Sequence, residues 1–219
     1  MNKNIAIILG LPKSIYLCFK SMPFKEAIHI PIFVSANTKL VSLKGKIKIE
    51  AQSLHHGMVR IGLSGSGTVR HVPAAIENNG LIILGDHVNF GGGAQICTVD
   101  KQSRRIIGEN TSVTGDSHIV SKKLVEIGNN CLISWEVQIM DTDFHKLINQ
   151  DTVINTVQPV QIGSNTWICS RATVLKGTQI AQGSVIAANS LVVGMLKEKN
   201  CVWSGMPLKI IKDNVSWKL

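Results

Sequence analysis

The sequence predicts an all-β protein wound as a parallel β-helix, and three observations carry that expectation. Aromatic residues make up only 5% of a chain that is 44% hydrophobic, so the core must be filled by aliphatics. Such a composition suits sheets better than a helical bundle. From Ile162 onward, every sixth residue is a branched aliphatic: Ile162, Ile168, Val174, Ile180, Ile186 and Val192. The fourth residue after the first five leads is small (Thr166, Ala172, Thr178, Ser184, Ser190), and the third is often a turn former (Asn165, Gly177, Gly183, Asn189). Ordinary amphipathic strands alternate with period two and are separated by irregular turns; they do not hold period six over six positions. One hexad is therefore one short strand and one corner, and three hexads make a coil whose lead residues stack inward.

Residues 1–45 form an N-terminal segment. "MNKNIAIILGLPKSIYLCFK" has the apolar look of a secretion signal, but Pro12 and Lys13 interrupt it and no A-x-A site follows. It is expected to form a short helix or surface anchor. No apolar run reaches the ~20 residues of a spanning helix. "HIPIFVSANTKLVSLKGKIKIE" then alternates like strands. The β-helix is expected over residues 46–205. Residues 46–79, including "VRIGLSGSG", read as irregular first coils. The beat then appears in pairs, led by Leu84 and Phe90, Ile107 and Val113, Ile127 and Ile133. Residues 206–219 read as a cap: Pro207 sits at a helix start with Leu208, Ile210 and Ile211 following, so a short C-terminal helix should close the open end.

The beat breaks after Ile139. Ile139 and Ile162 are 23 residues apart, where a coil of three hexads needs 18. About five residues must leave the wall, in a loop at about 142–156, and solenoid insertions of this kind commonly carry the binding face. The break opens with Asp141, Asp143 and His145. Imidazole accepts a proton near neutral pH, and a carboxylate beside it fixes its tautomer and stabilises the imidazolium. Such a pair could move an acyl group to an alcohol without a covalent enzyme intermediate. A loop histidine beside aspartates is also an ordinary solvated surface, and the residues alone leave both readings open.

Charge and cysteine content narrow the partners. The net charge is +9, which favours an anionic partner. There is no basic run of five and only one Tyr, a poor basis for nucleic-acid binding. Five cysteines without a C-x-x-C pair suggest neither a disulfide framework nor a cysteine zinc site, and a reducing cytosol is expected. "GGG" at 91–93 lacks the following Lys-Ser or Lys-Thr of a phosphate loop.

Over about residues 80–212, the pattern of aliphatic, Gly or similar, any two, small, any one resembles the hexapeptide repeat of the left-handed β-helix acyltransferases. "PVQIGSNTWICS" (159–170) resembles the segment that follows the catalytic loop in the galactoside, maltose and surface-polysaccharide O-acetyltransferases. The resemblance implies a left-handed helix and a homotrimer with active sites between subunits. It implies acetyl-CoA as cosubstrate, no metal, and a backbone N–H holding the oxyanion. His145 would be the general base and Asp143 its partner, with Asp141 and Glu136 as competing carboxylates. Ser170 and Ala188 would line the pantetheine arm, and Lys209 and Lys212 would meet the phosphates; both lysines also fit a solvated face.

Two departures stand in the donor region: "AANS" (187–190) replaces the family's "GAGS", and Val193-Gly194 replaces its Thr-Lys pair. Trp135 and Asp141 are placed on the acceptor side, Trp135 either stacking on a sugar ring or packing. A zinc hydratase on the same fold would need three metal-binding histidines; His87, His118 and His145 fall on different coils. The implied reaction is acetyl transfer to a sugar or oligosaccharide hydroxyl in bacterial surface polysaccharide biosynthesis, in the cytoplasm at the inner face of the membrane, with peripheral membrane proximity. Acetylation of a drug or amino sugar, and a scaffold subunit without catalysis, are the alternatives.

Overall fold

Each lead residue of the six-residue beat points inward and stacks on the lead of the next coil. In the computed structural model, which describes residues 3–64 and 72–218, these stacks form the three faces of a prism. On the first face Val113, Ile133, Ile168 and Ile186 pair in register. On the second the ladder is Ile119, Ile139, Val174 and Val192. On the third it is Ile107, Ile127, Ile162, Ile180 and Leu196. All these ladders are parallel, and among the described residues the faces hold nine, seven and seven strands. The architecture is the left-handed parallel β-helix. The leads are at most 5% exposed, and each fully buried aliphatic contributes about 1.5–3 kcal/mol.

The corners explain the rest of the repeat. The third residue after each first- and third-face lead from Leu84 to Ile186 takes a left-handed backbone, from His87 and Gly93 through Asn130 and Asn165 to Asn189; after the second-face leads named above only Gly177 does. Asn, Asp and Gly tolerate that region best. Glu136 (φ 59) and Arg171 (φ 61) adopt it too, which costs roughly 1–2 kcal/mol each. The residue after the third-face leads Ile107, Ile127 and Ile162 is Gly because neighbouring coils touch there. A Cβ on Gly163 would lie 2.6 Å from the Gln182 nitrogen, and one on Gly128 2.6 Å from that of Ser164.

The wall begins earlier than the beat. Ile32 pairs with Val59 and Leu40 with Ile76, both in parallel. Residues 32–43 are thus part of the first coil and not of a separate segment; an irregular register between Leu40 and Ser42 hides them from a six-residue count. The "VRIGLSGSG" stretch contributes the strand Val59–Ser64, and its last three residues lie outside the described residues. Helix α1 (Lys3–Ser21) and the single turn α2 (Phe24–Ala27) precede the wall. α1 lies against the strand Ile32–Val34: the Val34 N–H donates to Ser14 Oγ (2.9 Å). The approach is so close that a Cβ on Gly10 would sit 1.9 Å from the Val34 oxygen.

The expected C-terminal helix is absent. Lys209–Lys212 is a strand, antiparallel to Val202–Ser204. A strand satisfies the open N–H and C=O groups at the edge of the first face, which a helix could only cover. The tail then folds back, with Trp217 donating to the Asn165 oxygen (2.7 Å) and its ring 5.9 Å from that of Trp167.

Candidate active site

Between Met140 and Val160 the chain leaves the corner joining the second and third faces. Asp141 is where it departs, and Asp141 is fully buried. Its Oδ1 accepts the N–H of Lys122 (2.7 Å), and its Oδ2 those of Lys123 (2.6 Å) and Leu124 (2.7 Å). The chain leaves the wall here before resuming at Val160, so the backbone donors of Lys122, Lys123 and Leu124 on the preceding coil lack the usual partner one coil onward, and Asp141 supplies it. Asp141 therefore caps the wall and does not face an acceptor. The buried Arg105 guanidinium lies in the same region, donating to the Cys97 and Ile119 oxygens (2.6 and 2.5 Å). Burial pushes its pKa down to about 10, against the charge of Asp141.

The excursion is tied down locally. Thr142 is buried and its Oγ1 accepts the N–H of Phe144 (3.0 Å). Phe144 has φ 61, and the His145 N–H turns back to the Asp143 oxygen (2.6 Å). Beyond it a hairpin pairs Ile148 with Val153 and Asn149 with Thr152. Its two central residues, Gln150 and Asp151, both have positive φ, the turn that matches strand twist.

His145 is exposed, and its backbone is held by Asn155. Asn155 Nδ2 donates to the His145 oxygen (2.9 Å) and to Asp143 Oδ2 (2.8 Å), and its Oδ1 accepts the Leu147 N–H (2.6 Å). Lys176, on the same corner one coil onward, forms an ion pair with Asp143. The Lys176 bond, then that of Asn155, holds the Asp143 carboxyl below its ordinary pKa. Asp143 is thus bound to Lys176 and Asn155, not to the imidazole, which has no hydrogen-bond partner among the described residues. Glu136 is also engaged elsewhere, in an ion pair with Arg171 (2.8 Å).

The other residues expected at the site lie across the second face. Trp135 is at the corner between the first and second faces, half exposed at 49%. Its oxygen accepts the Arg171 N–H (3.0 Å). Ser170 and the exposed Ala188 share that corner, stacked through Asn189 N–H to the Ser170 oxygen (3.1 Å). Lys209 and Lys212 are exposed on the edge strand of the first face. One chain therefore holds two groups: His145, Asp143, Asn155 and Lys176 at one corner, and Trp135, Ser170 and Ala188 at another, with the lysines on the adjoining face. A groove of about 480 Å³ on the third face, lined by Glu126, Gln161, Gln179, Met195 and Lys197, belongs to neither.

Asn155 and Lys176 escaped sequence reading. Each is a single polar residue without a motif, and only the fold brings them to Asp143. Burial raises the Cys18 and Cys131 thiols to about 11 and also raises that of Cys169, which keeps them protonated at neutral pH. Among the described residues, no three His, Cys, Asp or Glu side chains gather as a metal site.

No family model matches the chain. It is 29% identical over 201 residues, 91% of its own length and 87% of the other, to an uncharacterised 24.8 kDa protein of the cps region of Klebsiella pneumoniae. It is 34% identical over 152 residues, 64% of this chain and 76% of the relative, to WbbJ of Escherichia coli K12, which bears the name of a lipopolysaccharide biosynthesis O-acetyl transferase. The solved polysialic acid O-acetyltransferase OatWY superposes with a TM-score of 0.55 at 20% identity, over 83% of this chain and 91% of that one. The similarity to WbbJ fixes the assignment: the chain belongs to the hexapeptide-repeat acetyltransferases, acyltransferases built on the left-handed parallel β-helix.

Proposed function

We propose that this enzyme transfers an acetyl group from acetyl-CoA to a hydroxyl of a sugar in a bacterial surface polysaccharide, with His145 as general base. The observation that carries this reading is the excursion at His145. The wall is interrupted there, and Asn155, Asp143 and Lys176 hold the imidazole-bearing turn at the surface. A base positioned by backbone bonds can accept a hydroxyl proton as the oxygen attacks an acyl carbon. The C–O bond forms, the C–S bond breaks, and the proton passes on to the departing thiolate. The relatives' names point to glycan acceptors.

The cosubstrate supplies the acetyl thioester. The corner carrying Ser170 and Ala188 suits its arm, because the small, exposed Ala188 leaves the backbone approachable. Lys209 and Lys212 lie on the adjoining face, where they can meet phosphates. In one chain this corner and the His145 corner lie on opposite sides of the second face. A closed ring of chains would bring the base corner of one against the donor corner of the next, and we assign a homotrimer. The exposed Phe144, Leu147, Ile148 and Ile154 on the excursion would be covered in that contact. We place the enzyme in the cytoplasm, where its five free thiols stay reduced.

Transfer from acetyl-CoA to a panel of nucleotide sugars and oligosaccharides tests the reading, with His145→Ala alongside. The proposal expects a sugar acceptor and a loss of about 10²-fold or more in the variant. Equal rates would remove His145 from the mechanism, and failure to bind acetyl-CoA would favour a scaffold.

A further inference from the structure

Helix α1 is packed the wrong way round for a helix of a water-soluble surface. Its wall-facing side is made mostly of small residues: Gly10, Ser14, Cys18 and Ser21 are buried, and Leu17 is the one large aliphatic among them. Its outer side carries Ile5, Ile8, Leu9, Ile15, Tyr16 and Phe19, which are 38–67% exposed. At helical spacing these six fall on one continuous face. The patch extends beyond α1. Phe24 is 70% exposed and its ring packs edge-on against Phe19 at 5.8 Å, and Ile28 follows at 48%. A contiguous apolar surface rimmed by polar groups marks an interaction site.

Charge indicates what covers it. Residues 3–48 contain eight lysines and one acidic residue, Glu26, so this end carries +7 of the chain's net +9. α1 itself has no acidic residue. Lys20 and Lys25 are exposed directly beside Phe19 and Phe24, and Lys39 and Lys44 are exposed on the coil beneath. A second copy of such an end would repel the first. An anionic bilayer attracts it, with apolar side chains entering the acyl boundary and lysines reaching the headgroups. Among the described residues no helix is long and apolar enough to cross a membrane. Lys13, midway along α1, is drawn to the wall by the Ala36 and Thr38 oxygens. The helix is built to lie along a surface.

We infer that the outer face of α1, continued by Phe24 and Ile28 and flanked by Lys20 and Lys25, docks the enzyme on an anionic lipid bilayer. The inference does not depend on acetyl transfer, because none of these residues lies at either corner of the proposed site. Docking would hold the enzyme at the surface where lipid-carried glycans are found.

The test is co-sedimentation of the full chain with vesicles of about one part phosphatidylglycerol to three parts phosphatidylethanolamine, against phosphatidylcholine alone. Two double variants accompany it, Ile8→Glu/Tyr16→Glu and Lys20→Glu/Lys25→Glu, with assembly mass measured by analytical ultracentrifugation. The lysine pair leaves the apolar face intact, so it reads docking even if the first pair disturbs α1. The wild type should bind the anionic vesicles, less so at high salt, and each double variant should lose about 10-fold or more of that binding at unchanged mass. Three results would overturn the inference. One is no vesicle binding by the wild type. Another is undiminished binding in the lysine pair. The third is a fall in assembly mass in the Ile8→Glu/Tyr16→Glu variant, which would assign the face to a second copy of the chain.

Discussion

The Asp143 carboxylate is paired with the Lys176 ammonium, one coil onward on the same corner, and not with the imidazole of His145 two residues away. The relationship changes the part Asp143 plays. With Asn155 it forms a clasp that ties the excursion to the wall, and the clasp sets where His145 stands.

Opening that clasp should therefore cost rate more than stability. Lys176→Met is expected to lower kcat by about 10-fold, on the scale set by loss of substrate positioning. The thermal midpoint should barely move, because exposed ion pairs contribute little. Lys176→Arg should recover most of the rate. Steady-state kinetics and a thermal melt on the three proteins check this; a large fall in the midpoint without a rate effect would make the pair merely structural.

The clasp also has a pH signature. The Asp143 carboxyl is held below its ordinary value by Lys176 and Asn155. For a depressed carboxyl, the stabilising contribution is present above the unfolded value of about 3.9 and is lost as pH falls through the folded value. The bond should thus stay intact through mildly acid pH and open only below the normal carboxylate range. Carboxyl carbon NMR shifts of Asp143 across an acid titration follow it, with Lys176→Met expected to move the transition upward.

Asp141 should behave oppositely, affecting folding more than chemistry. Asp141→Ala leaves three partly buried N–H groups without an acceptor and the buried Arg105 without its nearby charge. A loss of about 3 kcal/mol or more is expected. Denaturant unfolding measures it; a change within about 0.5 kcal/mol, the size of an ordinary surface substitution, would return Asp141 to the list of surface residues.

The apolar residues of the excursion predict a contact between chains. Leu147→Ser with Ile154→Ser should weaken assembly and activity together, since neither side chain is buried in one chain: they are 58% and 60% exposed. Sedimentation equilibrium over a range of concentrations would show the shift toward smaller species, and activity should return as concentration rises.

The wall was legible in the sequence because it is periodic. Ile162 through Val192 recur at one spacing and all are buried, and the residue three places after each lead turns the corner as far as Asn189. The place of the break was legible for the same reason, but its size was not: Ile139 and Ile162 lead neighbouring faces, where the beat allows six residues, so about seventeen of the 23 leave the wall and not the expected five. The first coil was not, because the register slips between Leu40 and Ser42 and no count of six survives there. The C-terminal strand was misread as a helix because Pro207 and the aliphatics after it suit either element; the open edge of Val202–Ser204, visible only in the fold, decides it. At the site, His145 stood out by its loop. Asn155 and Lys176 did not, since each reaches Asp143 through the fold, from 12 and 33 residues along the chain. Asp141 looked like a loop carboxylate and is a buried cap, because a sequence shows which residues follow the break but not where the wall ends.

In the proposed homotrimer a working site takes its base corner from one chain and its donor corner from another. Mixed assemblies test it most directly. His145→Ala spoils the first corner and Ala188→Trp the second, so each variant alone should be nearly inactive. When the two are unfolded, mixed in equal amounts and refolded together, about a quarter of the sites in a cyclic assembly should pair an intact base corner with an intact donor corner. Transfer should return to roughly that fraction of the wild-type rate. If the mixture refolds and assembles yet stays as inactive as its parents, the two corners do not meet between chains and the account is wrong.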